Sequence, residues 1–60
     1  MEKNSRKLIK LLRADGFELL RVKGDHHIFG KGQRRVVVPH PKKDLSTGLV
    51  RQLYKDAGWL

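Results

Sequence analysis

Two residues, Gly24 and Asp25, separate the apolar run Phe17 to Val22 from the next, which centres on Ile28-Phe29 after a pair of histidines. A Gly-Asp pair at such a junction is a hairpin turn, because glycine takes positive φ without penalty and aspartate tolerates it. Strands joined by so short a link must lie antiparallel. A second break falls at Gly30-Lys31-Gly32-Gln33, with its two glycines marking positive-φ positions. Beyond it, Arg34 to Val38 is rich in β-branched residues. The spacing predicts three strands, Phe17 to Lys23, His26 to Phe29 and Arg34 to Val38, in a meander. Alternation places Leu20 and Val22 on one face of the first strand and Phe17 and Leu19 on the other. Pro39-His40-Pro41 ends the third strand, since proline cannot serve a central ladder.

Both flanks read as helices. Asn4 or Ser5 can cap the first, whose Leu8, Ile9, Leu11 and Leu12 form one broad apolar arc. Arg6, Lys10 and Arg13 fall on the opposite face, and Asp15-Gly16 ends the helix. That basic stripe reads as a solvated face or as a row of phosphate contacts. Ser46 is the N-cap expected for the second helix, with Leu45 and Val50 placed to form a hydrophobic staple. Leu49, Val50, Leu53 and Ala57 make its apolar stripe, Gly58 stops it, and Trp59 and Leu60 are placed to fold back over its end. The order is αβββα, and the economical packing is a three-stranded antiparallel sheet with both helices on one face.

Sixty residues make a single domain, 1–60, which buries only ~60% of its unfolded surface. There is no cysteine, hence no disulfide framework or thiolate metal site, and a reducing cytoplasmic setting fits. No apolar run is long enough for a membrane span, and no secretory signal is expected at the N-terminus. Lysine and arginine number 14 against 6 acidic residues, a net charge of +8. A field of that sign on so small a chain selects anionic partners, with nucleic acid first and an acidic protein second.

His26 and His27 stand at the mouth of the hairpin, beside Asp25. Histidine exchanges protons near neutral pH, and a nearby carboxylate favours its charged form. RNA carries its own nucleophile, the 2′-hydroxyl. Cutting it without metal needs a proton acceptor, a proton donor and fixed positive charge on the phosphate. Either histidine can move a proton, and Lys23, Lys42, Lys43 and the N-terminus of the second helix can supply the charge. The two neighbours point to opposite faces of the sheet, so one of them is silent. His40, fixed between two prolines, reads as a loop residue that orients or binds phosphate, or as a second catalytic group. Gly24 is a turn residue or a point of close approach to a phosphate. The acidic residues are scattered, with no paired carboxylates, so no metal or other cofactor is expected.

Lys7-Leu8-Ile9-Lys10-Leu11-Leu12, Asp15-Gly16-Phe17, Gly24-Asp25-His26-His27-Ile28-Phe29, Val36-Val37-Val38-Pro39-His40, Lys43-Asp44-Leu45, Gly48 and Ala57-Gly58 occur in that order. With this set the chain resembles the HicA-type (YcfA-type) toxins of toxin–antitoxin pairs over nearly its whole length. The resemblance implies a double-stranded-RNA-binding-domain-like αβββα fold. It also implies an mRNA-cleaving endoribonuclease (an mRNA interferase) and a cognate HicB-type antitoxin that masks it. It sets the catalytic histidine of a Gly-Ser-His motif on His26 and its glycine on Gly24. Asp25 replaces the usual serine, adding a negative charge beside the expected phosphate site, and Leu49 stands where threonine is frequent. RNA contacts are expected from Lys23, Gly24, His40, Lys42 and Lys43, with Arg6 and Lys10 from the first helix. The alternative is a non-catalytic module of the double-stranded-RNA-binding type. A basic DNA-binding domain is a third reading, for which no recognition-helix arrangement is visible.

Overall fold

Asn4 opens the first helix, its side chain accepting the Lys7 N–H at 3.1 Å. In the computed structural model, which describes residues 1–60, the chain then runs α1 (Ser5–Ala14), β1 (Glu18–Lys23), β2 (His26–Lys31), β3 (Arg34–Pro39) and α2 (Thr47–Asp56). The Ser46 hydroxyl caps α2, accepting the Leu49 N–H at 3.3 Å, and both residues of the predicted staple, Leu45 and Val50, are buried. The chain leaves the two helices through Gly16 and Gly58, at φ +101° and +82°.

The strands form one antiparallel sheet in the order β1-β2-β3. Both hairpins have two-residue turns, Gly24-Asp25 and Gly32-Gln33, and in each only the glycine has positive φ (60° and 59°). Asp25 therefore needs no left-handed conformation. Gly30 departs from expectation more clearly. It lies within β2, paired with Glu18 and Arg35, and its φ is not positive. A Cβ there would stand 2.6 Å from Leu20 Cδ1 and 3.0 Å from the Arg35 guanidinium, so these two side chains close over a position that has no side chain of its own. The first strand also departs from simple alternation. Leu19 pairs with Phe29 and Arg21 with Ile28, so a bulge absorbs Leu20. Leu19 and Val22 thus share a face, and Leu20 lies over Gly30 on the other.

Leu8 and Leu12 of α1, Val50 and Leu53 of α2, Phe29, Val36 and Val38 of the sheet, and Phe17, Leu45 and Ala57 form the core. Both helices therefore cover one face, the face of Phe29, Val36 and Val38. Leu11, expected in the apolar arc, is 45% exposed. Trp59 does fold back over α2, edge-on to Tyr54 at 5.0 Å, and its indole N–H donates to Asp15 at 3.0 Å, whereas Leu60 stays exposed. The Trp59 hydrogen bond, followed by that from Lys31, holds the Asp15 carboxyl below its ordinary range.

So small a core leaves little reserve. Removing a buried leucine side chain costs about 2–5 kcal/mol, and a single core of this size rarely supplies more than ~3–5 kcal/mol in all. Leu12, fully buried, is the sharpest test. Leu12→Ala is expected to abolish the cooperative urea transition seen by circular dichroism. A midpoint close to the wild type's would show the core to be more tolerant than this.

Candidate functional site

The segment after β3 is stitched to the start of α1. His40 N–H donates to the Asp25 carbonyl at 2.8 Å, tying the loop to the β1–β2 turn. Ser5 N–H donates to the Lys42 carbonyl at 2.9 Å, and Lys42 N–H returns a bond to Ser5 Oγ at 2.8 Å. Leu45 N–H reaches the Lys3 carbonyl at 2.7 Å. These bonds fix one wall of an open cleft of about 390 Å³ between the loop and the first turns of α1. Arg6, Lys7, Lys10, Lys42 and Lys43 line it together with Asn4, Ser5, His40 and Pro41. No carboxylate lies among them, and the positive end of the α1 dipole adds to the field. The cleft has the makings of a phosphate site.

Of the predicted contacts, Arg6, Lys10, His40, Lys42 and Lys43 thus meet on one cleft. The expected helix terminus does not. The cleft sits at the N-terminus of α1, where Ser5 pairs with Lys42 across 37 residues of sequence, whereas α2 begins only at Thr47. Lys23 and Gly24 lie elsewhere, at the end of the β1–β2 hairpin, with Lys23 opposite His26.

The two neighbouring histidines separate as strand geometry requires. His27 pairs with buried Val38, so it lies on the helix-covered face, and its ring stands edge-on to His40 at 4.9 Å. His26 pairs with Pro39 on the open face. Its side chain is 57% exposed, and its nearest charge is the Asp25 carboxylate at 3.8 Å. The structure therefore brings His27, His40 and the basic cleft together, and leaves His26 on the other side of the sheet.

His40 is half-buried, with its Nδ1 2.7 Å from Ser5 Oγ. Burial, and then the nearby His27 and Arg6, push its pKa below the ordinary histidine value. The linkage has a definite sign. The unfolded chain binds this proton more readily, so the neutral ring's contribution to stability is full above about pH 6.5 and is lost as pH falls through the lower folded value.

Asn4, Lys7 and Pro41 belong to the cleft without having been singled out as contacts, and Ser5 figured only as a possible cap. Lys7 carried a usable signal, being basic and one turn before the cleft-lining Lys10. Ser5 carried none, because its partner is 35 residues away.

No curated protein matches the chain. A family model described as the HicA toxin of bacterial toxin-antitoxin systems matches residues 5–59, which takes in the helix, hairpin and loop that build the cleft. The chain belongs to the HicA family, and is the toxin of a toxin–antitoxin pair with a cognate antitoxin as its partner.

Proposed function

We propose that this toxin is an endoribonuclease that cleaves mRNA without a metal ion and is held in check by a HicB-type antitoxin. The observation that carries the reading is the contact of His27 with His40 beside a cleft lined by five cationic side chains. Arg6, Lys10, Lys42 and Lys43 would hold the phosphate, and His27 would move the proton. The resemblance gives that task to His26. The geometry favours His27, because His26 shares the open face with Lys23 and reaches neither His40 nor the cleft. Gly24 and Lys23 remain proposed contacts for RNA running past the hairpin end. An mRNA substrate calls for a cytoplasmic protein, and no helix is long and apolar enough to cross a membrane.

A basic cleft also binds phosphate without cutting it, so the same surface suits a non-catalytic double-stranded-RNA-binding module. Incubating the toxin with a defined RNA separates the two readings. Discrete products that disappear on adding the antitoxin support the toxin reading, and intact RNA supports the module.

Binding itself should be led by phosphate. RNA affinity is expected to fall steeply with salt, and each cleft lysine removed should lower the log–log slope by about 0.7–0.9. Lys42→Ala and Lys43→Ala should weaken all RNA sequences alike. A flat salt response in a cleavage-deficient variant would refute phosphate-led binding.

A further inference from the structure

Ser5 is the one buried polar side chain, at 1% exposure in the first turn of α1, and its hydroxyl serves two partners. Oγ accepts the Lys42 N–H at 2.8 Å and lies 2.7 Å from His40 Nδ1. A serine hydroxyl has one proton to give and two lone pairs with which to accept. If Nδ1 carried a hydrogen, two donors would converge on Oγ. The serine proton would then be buried with no acceptor, since Oγ contacts no other polar group. One arrangement leaves nothing unpaired. Lys42 N–H donates to Oγ, Ser5 O–H donates to Nδ1, and the neutral ring keeps its proton on Nε2.

We infer that Ser5 locks His40 as the Nε2–H tautomer, and that His40 offers this uncharged N–H to a phosphate oxygen of RNA held in the cleft. The second half rests on the ribonuclease reading; the first stands without it. Placement supports the role. His40 lines the cleft, its backbone N–H is fixed on Asp25, and its Nδ1 is committed to Ser5, so Nε2–H is the only donor the ring has left. The half-buried setting, and then His27 and Arg6, disfavour a charged ring. A neutral donor held in place stabilises charge growing on a phosphoryl oxygen and keeps its own proton throughout. Ser5 is then a positioning residue that acts through His40.

Side-chain ¹⁵N spectra of the full-length toxin near neutral pH read the tautomer directly. The expected result is a protonated Nε2 and a bare Nδ1 on His40, giving way to a mixture of tautomers in Ser5→Ala. Cleavage rates read the role. In His40→Gln a side-chain amide N–H stands where Nε2–H stood, so kcat/KM should stay within about tenfold of wild type. His40→Ala should lose about 10²-fold, as when a fixed donor to a developing oxyanion is removed. A proton on Nδ1 in the wild type overturns the inference, and so does a folded His40→Gln as inactive as His40→Ala. If the wild type cuts no RNA, the ribonuclease reading fails by itself. The spectra still decide the tautomer, and RNA affinities of the Gln and Ala variants decide the donor: a weaker Ala than Gln upholds it, and equal affinities overturn it.

Discussion

His27→Ala should slow RNA cleavage by roughly 10²–10⁴, the usual contribution of one positioned proton-transfer group, while His26→Ala keeps most of the wild-type rate. The two residues are adjacent and chemically identical, so the comparison isolates position. His27 faces the helices, opposite Val38 and edge-on to His40. His26 faces away, with Asp25 as its nearest charge. A phosphate gripped by Arg6, Lys10, Lys42 and Lys43 would lie on the His27 side. Growth inhibition should follow the same order. Neither substitution empties the core, so circular dichroism should show both variants folded. The reverse order of activities would return the proton-transfer role to His26 and place the RNA on the open face of the sheet.

The elements were legible in the sequence because their causes are local. An Asn or Ser cap, a two-residue glycine turn and a proline at the strand end each act within a few residues of themselves. What stayed hidden depends on pairings between distant residues. The bulge at Leu20 appears only in how β1 registers against β2, and Leu20 and Arg35 close over Gly30 from the two neighbouring strands. Neither fact is written in the strand that carries it. The faces of β2 were a subtler case. Alternation separates His26 from His27 in any strand, but which of them meets the cleft depends on which face the helices cover. Phe29, Val36 and Val38 answer that only once the sheet is packed.

The cleft was half visible. Its charges could be counted, and Arg6 and Lys10 could be placed on one face of a helix. The bonds that make it a cleft run from Ser5 to Lys42 and His40 and from Lys3 to Leu45, across more than thirty residues. Those same bonds explain why the charge gathers at the first helix rather than the second. Ser5 grips the loop at Lys42, before the chain turns into α2, so Lys42 and Lys43 are held over the α1 terminus.

An RNA carrying hydrogen in place of the 2′-hydroxyl at the cleavage site should resist this toxin entirely while binding nearly as well. The cleft supplies cations and His27 would supply proton transfer, but no serine, threonine or tyrosine hydroxyl stands free there to attack phosphorus. Ser5, the one hydroxyl lining the cleft, is buried and already engaged with His40 and Lys42. The attacking oxygen must therefore come from outside the protein, and the neighbouring 2′-hydroxyl is already tethered to its phosphate. His27 would take its proton as the P–O bond forms and the bond to the 5′-oxygen breaks. The departing 5′-oxygen takes a proton from water, the His27 imidazolium returns its proton to the hydroxide left behind, and the products are a 2′,3′-cyclic phosphate and a 5′-hydroxyl. EDTA should leave the rate unchanged. Gel analysis of one RNA, prepared with and without the single 2′-hydroxyl and run in EDTA, tests both points together. Cutting of the 2′-deoxy substrate at the same bond would require water as nucleophile, and loss of activity in EDTA would require a metal. Either result would sink the mechanism.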